Sequence, residues 1–185
     1  MRRIILNLAV SLDSYIEGPK GEYDWCFTDQ DYGLNDFFTK VDTIIYGRKS
    51  YELFGSYVPS EDASENEKEL MNKMMKMKKF VFSTTMESTD GITVVRGDVS
   101  EEVNKIKRMP GKDIFLFGGA SLITSFQNSN LIDEYHLAVH PVILGAGLPL
   151  FKDITTRKYL KLKDTKVFSS GLVILYYDSV KIPAK

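Results

Sequence analysis

The first apolar stretch, Ile4-Ile5-Leu6-Asn7-Leu8-Ala9-Val10, is too continuous for a half-exposed strand and too short for an ordinary helix. Such a run suits a central strand covered on both faces. Similar short runs recur at 43–46, 80–82, 92–95 and 114–117, and again at 135–139 and 172–177. Between them the apolar positions switch to helical spacing. Residues 31–40 place Leu34, Phe37 and Phe38 on one side, and residues 48–54 and 121–127 begin helices directly after glycines. Residues 64–78 carry Leu70, Met71, Met74 and Met75 at helical spacing. Glu65, Glu67 and Glu69 crowd the start of that segment and Lys76, Lys78 and Lys79 its end, a polarity that suits the helix dipole. Another helix is expected over 99–109, stopped by Pro110-Gly111. The polar stretch 11–22 reads as a loop, and a last hairpin joins either 159–162 or 165–168 to the final strand. Buried strands alternating with helices predict an α/β fold of three layers, α-β-α. The central sheet should be mixed and mostly parallel, with antiparallel strands supplied by the C-terminal third.

Composition narrows the partners. A chain of 185 residues is expected to form one domain over 1–185. Its 24 basic and 25 acidic residues nearly cancel, so no general attraction to nucleic acid or to an anionic membrane is expected. Cys26 is the only cysteine, which rules out an intrachain disulfide and a thiolate zinc site and agrees with a reducing, cytoplasmic setting. No apolar run reaches the length of a membrane span, and the N-terminus lacks the features of a signal peptide. His136 and His140 would form a metal-binding pair on a helix, but Leu137, Ala138 and Val139 favour a strand there, so no metal site is expected.

Three strand ends carry phosphate-compatible chemistry. The run 114–117 meets Gly118-Gly119 and then Ala120-Ser121-Leu122. Glycines let a backbone approach a phosphate closely, and a following helix start offers free N–H groups. The same residues would also make an ordinary strand-to-helix turn. The second end is Gly47-Arg48-Lys49-Ser50, where two cations sit at a helix start that disfavours them; a bound anion would relieve the conflict. A solvated basic turn is the plain alternative. The third is Ser83-Thr84, whose hydroxyls either bond a ligand or shape the turn. Arg96 lies after the next strand. In open α/β sheets the ligand crevice lies at the carboxyl ends of the strands. Neither a G-x-G-x-x-G nor a Walker A sequence is present.

With these segments in order, the chain resembles the dihydrofolate-reductase superfamily. It is most similar to the reductase-domain branch related to the C-terminal domain of bacterial riboflavin-biosynthesis deaminase–reductases. The resemblance rests on Ala9-Val-Ser-Leu-Asp-Ser-Tyr-Ile16, Gly47-Arg-Lys-Ser-Tyr-Glu52, Phe82-Ser-Thr84, Phe117-Gly-Gly-Ala-Ser-Leu122, Leu131-Ile-Asp-Glu134 and Pro141-Val-Ile-Leu-Gly-Ala-Gly147. It implies NADPH as cofactor and hydride transfer to a pteridine or an aminopyrimidine ribose phosphate. It also implies a homodimer. By resemblance, Arg48, Lys49 and Ser50 hold phosphates, Ser83 and Thr84 select the 2′-phosphate, Gly118 to Leu122 cradle the pyrophosphate, and Ala9 meets the nicotinamide. The loop after Leu12 would cover the site. Asp31 stands about where a folate reductase places its catalytic carboxylate, with Asp36 a neighbouring candidate; a helix cap is the plainer use of either. Asp13, Asp24 and Trp25 are candidates for the substrate side, although Trp25 also suits a core. The family often has glycine where this chain has Ser14. The zinc-dependent deaminase half is missing, since one cysteine cannot supply its ligands. No residue is an evident proton donor, so the alternative from another class is a nucleotide-binding sensor or interaction protein without turnover.

Overall fold

The computed structural model describes residues 1–55 and 57–180. Its strands are β1 (Ile4–Ser11), β2 (Tyr15–Glu17), β3 (Val41–Gly47), β4 (Lys78–Phe82), β5 (Ile92–Val95), β6 (Asp113–Gly118), β7 (Glu134–His140), β8 (Leu148–Pro149), β9 (Leu160–Val167) and β10 (Val173–Ser179). Its helices are α1 (Leu34–Lys40), α2 (Arg48–Ser50), α3 (Glu65–Met75), α4 (Val99–Arg108) and α5 (Ala120–Asn128). The main sheet has the order β5-β4-β3-β6-β1-β7-β10-β9. From β5 to β7 every pairing is parallel, and β10 pairs antiparallel with both β7 and β9. The mixed, mostly parallel sheet is therefore the one the apolar runs predict.

Alternation along β1 sets the layers. Ile4 and Leu6 point to one face and Ile5 to the other, and all three are buried. Ile4 and Leu6 join a core completed by Val103 and Ile106 of α4 and by Ile123 and Phe126 of α5. Ile5 joins Phe37 and Phe38 of α1, Met74 of α3, and Phe115. Burying side chains of this size stabilises the fold by roughly 1.5–3 kcal/mol each. Side-chain caps start α3 and α4. Ser64 accepts from the Glu67 N–H at α3, and Asp98 from the Glu101 N–H at α4.

Several expectations move. The segment 48–54 is helical only as α2 and then widens into a π-helical turn, Tyr51–Gly55. The helix expected over 64–78 stops at Met75, because Lys78 already pairs with Thr43 in the sheet. The two alternatives for the final hairpin merge, since β9 spans both. The small β2–β8 sheet lies in segments that read as loop and as glycine-rich chain.

Candidate functional site

β3 and β6 are neighbours, and their register sets Tyr46 opposite Gly118. The two glycine turns that follow these strands therefore meet. A Cβ on Gly47 would lie 3.4 Å from the Gly119 nitrogen, and one on Gly119 would lie 2.9 Å from Ser50 Oγ. Gly118 has φ +114°, a conformation that L side chains rarely adopt. Gly119 also caps α5, without a side-chain hydrogen bond. Its carbonyl accepts the Leu122 and Ile123 N–H groups at 2.9 and 3.0 Å. The earliest N–H groups of the helix are left for another acceptor. Ser121 lies inside the first turn of α5.

The basic turn partly neutralises itself. Arg48 Nη1 donates to both Glu52 carboxylate oxygens, at 2.8 and 3.0 Å. An anion is thus not needed to relieve Arg48, and the earlier conflict is settled by the residue one turn on. Lys49 has no side-chain partner among the described residues.

A cavity of about 1020 Å³ opens beside these turns. Ala9, Gly47, Arg48, Lys49, Ser50, Gly119, Ala120, Ser121 and Leu122 all line it. Gly118, Ser83 and Thr84 do not. The Ser83 hydroxyl accepts the Thr85 and Met86 N–H groups at 3.2 and 2.9 Å, which is the turn-forming use of such a residue. Arg96 reaches back to the Met86 carbonyl.

The expected substrate residues fare differently. Asp31 accepts the Asn35 N–H at 2.7 Å and the Gly33 N–H at 3.2 Å, so it fastens the start of α1 and stays out of the cavity lining. The geometry gives it a capping role, and Asp36 is the α1 carboxylate that lines the cavity. A hydrogen bond from Lys40 holds the Asp36 carboxyl below its ordinary range. Asp13 also turns away. It accepts from the Ser11 hydroxyl at 2.7 Å and from the Leu144 and Gly145 N–H groups at 3.1 and 2.7 Å, and these bonds hold its carboxyl low. Asp24 and Trp25 are outside the lining as well. Trp25 instead meets the His140 ring edge-on, with centroids 5.3 Å apart.

Sequence reasoning did not place Phe37, Phe38, His136 or His140 in the site. Phe37, Phe38, Met71 and Met74 line it from α1 and α3, so the methionines serve cavity and core together. His136 and His140 line it from β7 with different duties. Both nitrogens of His140 are engaged: Nδ1 donates to the Ala138 carbonyl at 3.0 Å and Nε2 accepts the Phe27 N–H at 3.1 Å. Burial pushes its proton affinity down. His136 Nε2 lies 2.9 Å from Glu134 Oε1, and Nδ1 has no partner among the described residues. Burial alone would raise the Glu134 carboxyl, but hydrogen bonds from His136 and Lys163, with the charges of His136 and Arg3, hold it at about 2. The signal was present in the sequence as Glu-x-His, since alternate residues of a strand share a face. Cys26 lines the cavity with its thiol pushed up to about 11 by burial, and with Asp24 adding to the shift.

Comparison with known proteins gives this site its family. The model for the RibD C-terminal domain matches residues 2–176. YyaP of Bacillus subtilis (strain 168), an uncharacterized protein, is 51% identical over 177 residues, which cover 95% of this chain and 94% of that one. A solved structure from Shewanella sp. PV-4, of a protein assigned to riboflavin biosynthesis, superimposes with a TM-score of 0.79 at 24% identity and covers 98% of this chain and 100% of its own. The diaminohydroxyphosphoribosylaminopyrimidine deaminase/5-amino-6-(5-phosphoribosylamino)uracil reductase of Thermotoga maritima matches with a TM-score of 0.69 at 15% identity. That match covers 97% of this chain and 57% of the larger protein. These likenesses carry the dihydrofolate-reductase-like fold, and the chain belongs to the RibD C-terminal domain family.

Proposed function

We propose that the chain is an NADPH-dependent reductase. Its substrate would be a pteridine or an aminopyrimidine ribose phosphate of the 5-amino-6-(5-phosphoribosylamino)uracil type. The observation that carries this reading is the meeting of the Gly47 and Gly118–Gly119 turns beside the cavity, at the start of α5, which Gly119 caps without a side-chain hydrogen bond. Side chains larger than glycine would fill the approach that a pyrophosphate needs. The α5 N–H groups and Ser121 would hold that pyrophosphate, with Arg48, Lys49 and Ser50 on the flanking phosphates. The backbone of Ala9 would orient the nicotinamide. Ser83 and Thr84 keep their 2′-phosphate role only by resemblance. Bound there, NADPH supplies hydride, while this chain binds, orients and excludes water. A cytoplasmic setting suits the cofactor and the single thiol, and no helix among the described residues is long and apolar enough to cross a membrane.

The test is direct. NADPH should raise the melting temperature more than NADH at equal concentration. NADPH should then be oxidised when 7,8-dihydropterin or the aminopyrimidine ribose phosphate is added. Arg48→Ala should weaken NADPH about tenfold and NADH less, since a charge-assisted hydrogen bond to phosphate is worth roughly 1.5 kcal/mol. Equal losses for both cofactors would count against a 2′-phosphate contact for Arg48. Tight NADPH binding with no oxidation of any acceptor would favour a nucleotide-binding sensor.

A further inference from the structure

We propose that His136, held by Glu134, meets a ring nitrogen of a flat heteroaromatic substrate and delivers the proton that accompanies hydride transfer. The inference rests on the reductase reading above and supplies the proton donor that reading lacks.

Three observations converge on this imidazole. First, it is buried in the sheet, yet it lines the same cavity as the glycine turns. Second, among the described residues only one of its nitrogens is engaged. The Nε2–Glu134 contact fixes the ring, and Nδ1 is left for a ligand. Its neighbour His140, also on β7, has both nitrogens engaged by backbone and cannot do the same. Third, the surroundings favour a flat ring. The Phe37 ring stands edge-on to the imidazole at 5.5 Å and the Tyr176 ring at 4.7 Å, and both residues also line the cavity.

The charges around the pair keep Glu134 ionised. Arg3 bonds it at 2.7 Å and Lys163 at 3.0 Å, and Asp178 completes the cluster from β10. Tyr176 on β10, His140 on β7, and Tyr32, Asp36 and Lys40 on or beside α1 are other titratable groups in the cavity lining, and Lys166 of β9 stands 6.0 Å from the Tyr176 ring. An ionised carboxylate behind an imidazole stabilises its protonated form and fixes its orientation. The step balances simply. Hydride adds to the carbon of a C=N bond, and the Nδ1–H bond breaks as a new N–H bond forms on the substrate. The imidazolium becomes neutral imidazole, Glu134 is unchanged, and solvent returns the proton.

Pterin, which is fluorescent, is the probe. Its anisotropy would be followed with the full chain saturated with NADP⁺, between pH 5.5 and 8.5. Wild type should bind pterin progressively more weakly as pH rises. His136→Asn should bind about tenfold more weakly at the acid end, the loss expected for one charge-assisted hydrogen bond, and should lose the pH dependence. Its NADP⁺ affinity should be unchanged. Glu134→Gln keeps an acceptor behind the ring but removes the charge, so it should weaken pterin binding and leave NADP⁺ affinity unchanged. This variant also serves should His136→Asn fail to fold. A His136→Asn protein with wild-type affinity at every pH would overturn the proposal. So would wild-type pterin affinity in Glu134→Gln, or a wild-type protein that binds NADP⁺ but not pterin. Failure to bind NADP⁺ at all would instead overturn the reductase reading beneath it.

Discussion

At the scale of single residues, the same side-chain types serve quite different ends. Asp13, Asp31 and Asp36 all sit near the cavity in sequence, and only Asp36 lines it. Spacing could not separate them, because an acid that accepts backbone N–H bonds and an acid that faces a ligand look alike in sequence. Ser14 is the more legible case. It adopts φ +69°, the left-handed conformation for which the family's glycine is suited. Its carbonyl still accepts the Leu150 N–H at 2.9 Å, so the turn survives the change. A left-handed non-glycine residue costs roughly 1–2 kcal/mol, against about 0.5–1 kcal/mol for the extra freedom that glycine loses on folding. Ser14→Gly should therefore stabilise the fold by up to about 1 kcal/mol, read as a higher urea midpoint at unchanged slope.

Among the elements, the buried parallel strands were the clearest in the sequence, because strands covered on both faces are written as continuous apolar runs. β1, β3, β4, β5 and β6 all fall where those runs stand. The glycine turns after β3 and β6 were legible singly, but their meeting depends on sheet order, which local pattern does not encode. The β2–β8 pair was hidden for another reason. Its register runs through Pro149 and is interrupted, so no alternation marks it. Gly147 shows how tightly it closes. With φ +147°, a Cβ there would lie 2.1 Å from the Glu17 carbonyl oxygen. Gly147→Ala should cost more than about 1 kcal/mol and loosen the loop between β1 and β2, measured by faster amide exchange in that loop than in β6.

For the whole molecule, charge is arranged at both ends of the sheet. Arg2, almost fully buried, is matched by Asp42, Thr43 and the Lys112 carbonyl at one end. At the other, His140 ties the segment around Phe27 to β7 through a neutral ring. Burial lowers the proton affinity of this ring below its unfolded value near 6.5, so the unfolded chain takes up the proton first as pH falls. Its contribution to stability is complete above about pH 6.5 and declines as pH drops toward the lower folded value. Denaturant midpoints should fall between pH 7.5 and 5.5, and His140→Asn should flatten that fall. Trp25, the single tryptophan, rests its edge on this same imidazole. A charged imidazole withdraws excited-state electrons from an indole far better than a neutral one. The chain therefore carries its own optical gauge: emission from one residue, excited alone, would report in real time whether the segment that borders the cavity is still latched.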